Sequence, residues 1–207
     1  MKSNLKLTII FLGLIIYSSV SCNSTNRKDD SSITEFTDEE GNVFVKLYKK
    51  ENGAFYYWET WNTTQNNAVI HWGKLGDIGK DVEITRPTLA EFKNEINSQI
   101  NQKLEEGYNQ IPIEKQYTVA ITFQLDNWGN TKDLARREVI RGIITESLGW
   151  TGNGRCDDGE IGSGEMTLFA DVVDPYIAIE SITKEFKLKG VPEKPSFTII
   201  YEGEIID

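Results

Sequence analysis

The sequence predicts an α+β fold built from two small antiparallel sheets that pack against helices. Three observations lead to this prediction. Short segments alternate apolar and polar residues, longer segments repeat apolar residues at helical spacing, and Gly, Asn or Pro residues lie between them. The segments fall into two groups, residues 43–112 and residues 113–207, and we expect each group to form a domain.

Residues 43–112 are expected to form four strands followed by one helix. The alternating segments are 43–48, 54–62, 68–72 and 80–85, and the second of them is rich in aromatic residues. Thr88 and Glu91 then make a capping box, after which apolar residues recur at helical spacing up to Gly107. This order predicts a small antiparallel sheet with one helix packed on it.

Residues 113–207 are expected to follow the order βαββαβ, if the glycine-rich stretch 152–164 contributes a strand. The other strands are expected at 117–125, 165–173 and 197–206. One helix should be capped by Thr131, and the other should begin at Pro175. The first should bury an apolar stripe made of Leu134, Ala135, Val139, Ile143, Ile144 and Leu148. This order is the ferredoxin-like pattern, a four-stranded antiparallel sheet with both helices on one face.

Residues 1–21 have the composition of a bacterial export signal. Lys2 and Lys6 precede an apolar run, 7–17, that is shorter than a membrane-spanning helix, and small residues then lead to Cys22. This segment resembles the lipobox of bacterial lipoproteins, although Ser19 stands where Leu is usual. The resemblance implies that Cys22 becomes the lipidated first residue of the mature chain. The alternative is an ordinary cleaved signal with a chance Cys at the cut site.

Residues 22–42 are expected to form a disordered, lipidated tether, because they are polar and contain too few apolar residues to pack. Asn23, directly after the Cys, resembles the residue found in lipoproteins sent to the outer membrane, which favours the outer membrane over the inner one. We therefore expect a protein held in the cell envelope by lipid on Cys22, facing the periplasm or the exterior.

The charge distribution argues against nucleic acid as a partner. The whole chain has 22 basic and 32 acidic residues, a net charge of −10. Residues 43–112 have 8 basic and 9 acidic residues, and residues 113–207 have 10 and 17. Neither part has the excess of Lys and Arg that binding to a phosphate backbone requires.

Residues 43–108 resemble the WGR domain, which is named for Trp-Gly-Arg and occurs in poly(ADP-ribose) polymerases and many bacterial proteins. The resemblance rests on Tyr-Trp-Glu at 57–59, His-Trp-Gly-Lys-Leu-Gly-Asp-Ile-Gly at 71–79 and the helix end at 103–108. In the polymerases the Trp and Arg of this motif serve nucleic-acid contact and signalling between domains. Here Lys74 replaces the Arg and lacks its planar, bidentate fork.

The resemblance and the aromatic composition give four candidate ligand-binding residues. They are Trp72 and Lys74 in the signature and Tyr57 and Trp58 in the second strand. Because Trp and Tyr are favoured anchors at interfaces, a protein or peptide is the expected ligand. The structural alternative is that the tryptophans fill the core and the glycines serve turns.

Neither a catalytic constellation nor a cofactor motif is found in the sequence. His71 is the only His and lies within a strand, where a structural role is usual. Cys156 lies among carboxylates, which raise a thiol pKa.

Asp158, Glu160 and Glu165 are the only candidate metal ligands. On a calcium loop, Gly154 and Cys156 would occupy positions that need carboxylates, so a solvated loop is the better interpretation.

The sequence thus indicates a non-enzymatic binding or protein-interaction module without a cofactor, anchored to a membrane. The acidic second part loosely resembles small domains of bacterial immunity proteins around residues 152–160, which implies an immunity or scaffold role against a basic partner. Nucleic-acid or nucleotide binding through the WGR-like segment is the alternative function.

Cys22→Ser should abolish metabolic labelling with palmitate and release the protein from membranes, because the acyl chains supply the anchor. Cys156→Ser, the same change at the other cysteine, should leave both properties unchanged. Unaltered membrane partitioning of Cys22→Ser would refute the lipoprotein prediction.

Overall fold

The computed structural model of the protein describes residues 35–126, 128–192 and 194–206. These residues belong to one compact unit. The export signal, Cys22 and most of the expected tether lie outside the described residues. Among the described residues, no helix is both long enough and apolar enough to cross a membrane.

The described residues form two antiparallel sheets and three helices, which confirms the predicted mixture of sheet and helix. The first sheet is a meander of four strands in which each strand pairs with the next along the chain. Its elements are β1 (Phe44–Glu51), β2 (Ala54–Thr64), β3 (Asn67–Lys74), β4 (Lys80–Thr85) and the helix that follows, α1 (Leu89–Glu105).

Helix α1 covers one face of the first sheet. The expected cap is present, since Thr88 Oγ1 accepts a hydrogen bond of 3.2 Å from the backbone N–H of Glu91. The apolar residues of this core come from β1 to β3 and from one stripe of α1; they are Val43, Val45, Leu47, Trp58, Ala68, Ile70, Phe92, Ile96 and Ile100. The other face of the sheet is left to the second part of the chain.

The second sheet has five strands in the order β6-β7-β5-β8-β9. Its elements follow the order strand, helix, strand, strand, helix, strand, with one additional strand at the end. They are β5 (Tyr117–Gln124), α2 (Thr131–Trp150), β6 (Gly154–Gly162), β7 (Glu165–Val172), α3 (Pro175–Lys189), β8 (Ser196–Tyr201) and β9 (Glu204–Ile206). A short 3-10 turn at Ile113–Lys115 joins the two parts.

Two expectations for this sheet need correction. The expected final strand at 197–206 is a hairpin, because Glu202 and Gly203 have φ values of 51° and 83° and reverse the chain between β8 and β9. The glycine-rich stretch contains a strand, β6, as the βαββαβ order requires, so the interpretation of its acidic residues as a solvated loop is wrong. Its Cys156 and Gly159 carbonyls accept hydrogen bonds from Thr145 and Arg137 of α2.

The expected stripe of α2 is confirmed in the second half of the helix and wrong in the first half. Ile144 and Leu148 are buried as expected, whereas Leu134, Ala135 and Val139 are exposed and Ile140 is buried in their place. The cap is Asn130 instead of Thr131, because the Asn130 side chain accepts from the Lys132 and Asp133 backbone N–H groups. Because this helix has apolar residues on two adjacent faces, the sequence does not show which of the two faces is buried.

The end of the expected tether packs against α1. The Asn97 side chain accepts from the backbone N–H of Phe36 at 2.7 Å and donates to the Thr37 hydroxyl at 3.0 Å. Lys93 lies 2.8 Å from the Glu35 carboxylate, and Phe36 contacts the α1 core. Residues 35–42, expected to be disordered, therefore lie against α1.

The two sheets share a buried contact region. Tyr48, Tyr57 and Leu75 of the first part pack with Val173 of the second part in one apolar cluster. The Tyr48 hydroxyl donates to the Gly152 carbonyl at 3.1 Å, and the backbone N–H of Gly76 donates to the Thr151 carbonyl at 3.0 Å. The turn that follows α2 thus lies directly on the open face of the first sheet.

Gly152 should be more sensitive to substitution than a glycine of similar backbone geometry in open space. Gly152 has φ +70°, and a Cβ there would lie 2.2 Å from the Tyr57 ring, whereas Gly190 has φ +69° with no atom within 4 Å. Gly190→Ala should cost about 1–2 kcal/mol from the left-handed backbone alone. Gly152→Ala should cost about 1–3 kcal/mol more, because the Tyr57 ring must move.

Urea unfolding followed by tryptophan fluorescence and circular dichroism measures both losses. Equal destabilisation by the two alanines would show that the turn after α2 does not press on Tyr57.

Candidate functional site

A row of polar side chains crosses the open face of the first sheet. Glu59 on β2 is paired in register with Lys46 on β1 and with His71 on β3, so the three side chains share one face. Lys46 Nζ lies 3.1 Å from Glu59 Oε2, and His71 Nδ1 lies 2.7 Å from Glu59 Oε1. Tyr57, two residues before Glu59 on the same face, places its hydroxyl 3.0 Å from His71 Nε2.

The protons of this row follow from its chemistry. The Glu59 carboxylate can only accept, so His71 donates from Nδ1. On the opposite side of the imidazole ring, Nε2 forms a hydrogen bond with the Tyr57 hydroxyl. Burial raises the pKa of Tyr57, and the Glu59 charge raises it further, so the phenol keeps its proton.

The Tyr57 hydroxyl also faces the second part of the chain. Its oxygen lies 3.3 Å from the Trp150 carbonyl at the end of α2 and 3.3 Å from the Asp77 carbonyl. The rings of Trp150 and Trp61 lie edge-on to His71, with centroids 5.2 Å and 6.2 Å away. The polar row is therefore enclosed by aromatic side chains and joined to α2.

Two clefts flank Trp150. The first, called here the Trp61 cleft, has a volume of about 420 Å³, with Phe44, Trp61 and Trp150 as walls and Lys46, Glu59 and His71 as floor. The second, called here the Ile78 cleft, has a volume of about 530 Å³ and lies between the β3–β4 loop, the end of α2 and α3. Both clefts are lined by residues from each sheet-bearing part, so neither exists in one part alone.

The four residues expected to bind a ligand lie in different environments. Tyr57 and Trp58 are buried, with 0% and 4% of their surface exposed, on opposite faces of β2. Trp72 is 37% exposed and, with Lys74, Asp77 and Lys80, lines a shallow hollow of about 230 Å³. The ligand-binding assignment stays a prediction, for which the structure offers exposed surface at Trp72 and Lys74.

The three acidic candidates for metal binding lie along one hairpin. Asp158 and Glu160 are on β6, and Glu165 begins β7 opposite Gly162. Within the described ranges, no group of three or more His, Cys, Asp or Glu side chains is arranged to hold a metal ion. Cys156 on β6 is buried, which raises the pKa of its thiol to about 12 and leaves it a poor nucleophile at neutral pH.

The sequence alone does not reveal the buried polar row or the tryptophan beside it. It indicates an isolated strand residue at His71 and gives no signal for Trp150. A signal for the polar row was nevertheless present. In β2, every second residue from Tyr57 to Trp61 lies on the same face, so the Glu59 carboxylate stands between two aromatic side chains. A carboxylate in such a partly buried position needs a hydrogen-bond or ion-pair partner.

Comparison of the chain with protein-family models, with curated proteins and with solved structures found no match.

Tyr57→Phe should destabilise the fold by about 1–3 kcal/mol, because it leaves the buried His71 Nε2 without its hydrogen-bond partner. Tyr56→Phe is the matched control, since Tyr56 lies on the opposite face of β2 and is only partly buried. Denaturant titration measures both changes. A loss for Tyr57→Phe no larger than that for Tyr56→Phe would contradict the role assigned to this hydroxyl.

Proposed function

We propose that the chain is a membrane-anchored lipoprotein that binds another protein or peptide and carries out no catalysis. The observation that carries this proposal is the Ile78 cleft, in which three large apolar residues from separate elements are exposed together. Ile78, Trp150 and Leu188 are 76%, 43% and 71% exposed. Apolar side chains grouped in a cleft at the surface are typical of a protein-interaction site.

The rim of the Ile78 cleft supports an acidic surface for a basic partner. Asp77, Glu146 and Glu185 line it, together with Lys184. Lys189 lies 3.7 Å from Glu146 and 3.6 Å from Glu185, so it neutralises part of that charge. Residues 113–207 as a whole have 10 basic and 17 acidic residues, which favours encounter with a basic protein. An immunity or scaffold role fits such a partner.

The anchor in this proposal is lipid on Cys22. Residues 23–34 separate Cys22 from the described part of the chain. The export signal and the lipobox-like sequence support a location in the cell envelope, with the outer membrane favoured by Asn23.

The finer fold assignments belong to the same proposal. A WGR-like first part is supported by the four-stranded meander followed by one helix. A ferredoxin-like second part is supported by the element order βαββαβ and by the strand order β6-β7-β5-β8, to which β9 adds an edge strand.

Nucleic-acid binding is the second candidate function, favoured by one observation. Trp72 lies beside Lys74 and Lys80 in the shallow hollow, where an indole and two ammonium groups suit a base and its phosphates. Asp77 lines the same hollow and Asp81 follows Lys80, so the positive charge is largely offset. We therefore rank this function below protein binding.

Selection of a displayed random-peptide library on the detergent-extracted protein tests protein binding at the Ile78 cleft. Enriched peptides should combine basic residues with a large apolar anchor. Leu188→Asp should weaken their binding by about tenfold or more, because it places a charge at a central apolar contact. Val139→Asp is the matched control, since Val139 is also highly exposed on a helix but lies outside both clefts. Peptides insensitive to Leu188→Asp, or no enrichment, would contradict the proposal.

Duplex DNA should bind with a dissociation constant of about 10⁻⁴ M or weaker at physiological salt, because few phosphates can be neutralised. The measurement is a salt titration of affinity with the wild type, Trp72→Ala and Lys74→Ala. Submicromolar binding that both substitutions abolish would reverse the ranking of the two functions.

A further inference from the structure

We propose that the Trp61 cleft is a separate ligand site that takes an uncharged, polyhydroxylated ring, the chemistry of a carbohydrate residue. Its volume of about 420 Å³ lies within the range of small-molecule sites. Such sites combine apolar and aromatic walls with a few well-positioned polar groups. The cleft has this composition, with Phe44, Trp61 and Trp150 in its walls.

The floor of the cleft is polar but electrically balanced. Lys46 and Glu59 form an ion pair of 3.1 Å and are mostly buried, with 18% and 7% of their side chains exposed. Glu59 is held from its other oxygen by His71. Because these partners are mutually satisfied, the floor has a fixed geometry before any ligand arrives.

The floor nevertheless has hydrogen-bonding capacity to spare. An ammonium group has three N–H donors, and among the described residues Lys46 Nζ has Glu59 as its ion-pair partner. Each Glu59 carboxylate oxygen can accept more than one hydrogen bond. The cleft thus offers donors and acceptors side by side, which matches a hydroxyl group because a hydroxyl both donates and accepts.

The charges of the cleft favour a neutral ligand over an anion. An anion would meet Glu59 on the floor and Glu146 at the rim, and it could gain Lys46 only by breaking the Lys46–Glu59 pair. A neutral ligand leaves the pair intact. Because aromatic walls can also hold a cation, a small organic cation is the competing ligand that the experiment must test.

The walls complete the match to a sugar ring. One face of a pyranose ring carries mainly C–H groups and packs on an indole or phenyl face, while the hydroxyls at its edge remain free for polar contacts. Phe44, on β1, is 70% exposed and is paired in register with Trp61 on β2, so the two rings extend one wall outward. Trp150, at the end of α2, adds a third aromatic ring to the lining of the cleft.

The test is binding of the detergent-extracted protein to an array of immobilised glycans that includes plant, storage and bacterial cell-wall saccharides. Hits are then titrated in solution by tryptophan fluorescence. We expect at least one neutral saccharide to bind. Phe44→Ala and Trp61→Ala should each weaken it by roughly three- to tenfold, the loss of one ring contact. Phe44→Ala changes an exposed side chain, so its effect does not depend on altered folding.

Two control variants test whether the saccharide binds in the Trp61 cleft. Two small ions, one positive and one negative, test whether the cleft prefers a charged ligand. Trp128→Ala removes a tryptophan that is 79% exposed and lies outside both clefts, and it should leave affinity unchanged. Leu188→Asp should leave saccharide binding unchanged while weakening peptide binding, so that failure of one site is distinguishable from failure of the other. Binding of tetramethylammonium or acetate in place of saccharides, or binding of no glycan on the array, would overturn the proposal.

Discussion

The buried Tyr57 side chain is the contact on which the arrangement of the two sheets depends. Its ring packs with Val173 of the second part, and its hydroxyl lies 3.0 Å from His71 Nε2 and 3.3 Å from the Trp150 carbonyl at the end of α2. The Tyr57 ring also abuts Gly152, where only a residue without a Cβ fits at this distance. A tyrosine side chain is long enough to reach from a β-strand to the end of a helix. Because its hydroxyl is buried there, it needs a hydrogen-bond partner. Glu59, which is itself paired with Lys46, holds His71 in place through the hydrogen bond at Nδ1.

The two clefts follow from this contact. Because the end of α2 is held against the open face of the first sheet, Trp150 protrudes between the sheets and divides the space at their boundary. On one side, the polar row forms a balanced floor between aromatic walls. On the other side, Ile78 and Leu188 are exposed above a mainly acidic rim. The two proposed ligands, a neutral saccharide and a basic protein, suit these different surfaces and would be recognised independently.

The sequence predicted the elements well because they depend on local patterns. The capping box at Thr88 and the strand alternations placed most of the strands and α1 within a few residues. The sequence misled in two places, where one segment fits two different local structures. Helix α2 has apolar residues on two faces, and the last segment conceals a two-residue turn at Glu202 and Gly203. The candidate site was largely missed, because Tyr57 and Trp150 are 93 positions apart in the chain and meet through tertiary packing alone.

Native-state hydrogen exchange is the measurement that tests most directly whether the buried contact at Tyr57 makes one cooperative unit of the two sheets. The slowest amides of β2 and β3 and those of β5 and β7 should exchange with the same opening free energy, and Gly152→Ala should lower both values together. Two separate opening free energies, one for each sheet, with Gly152→Ala affecting only one of them, would contradict this cooperativity and leave both clefts without a fixed wall.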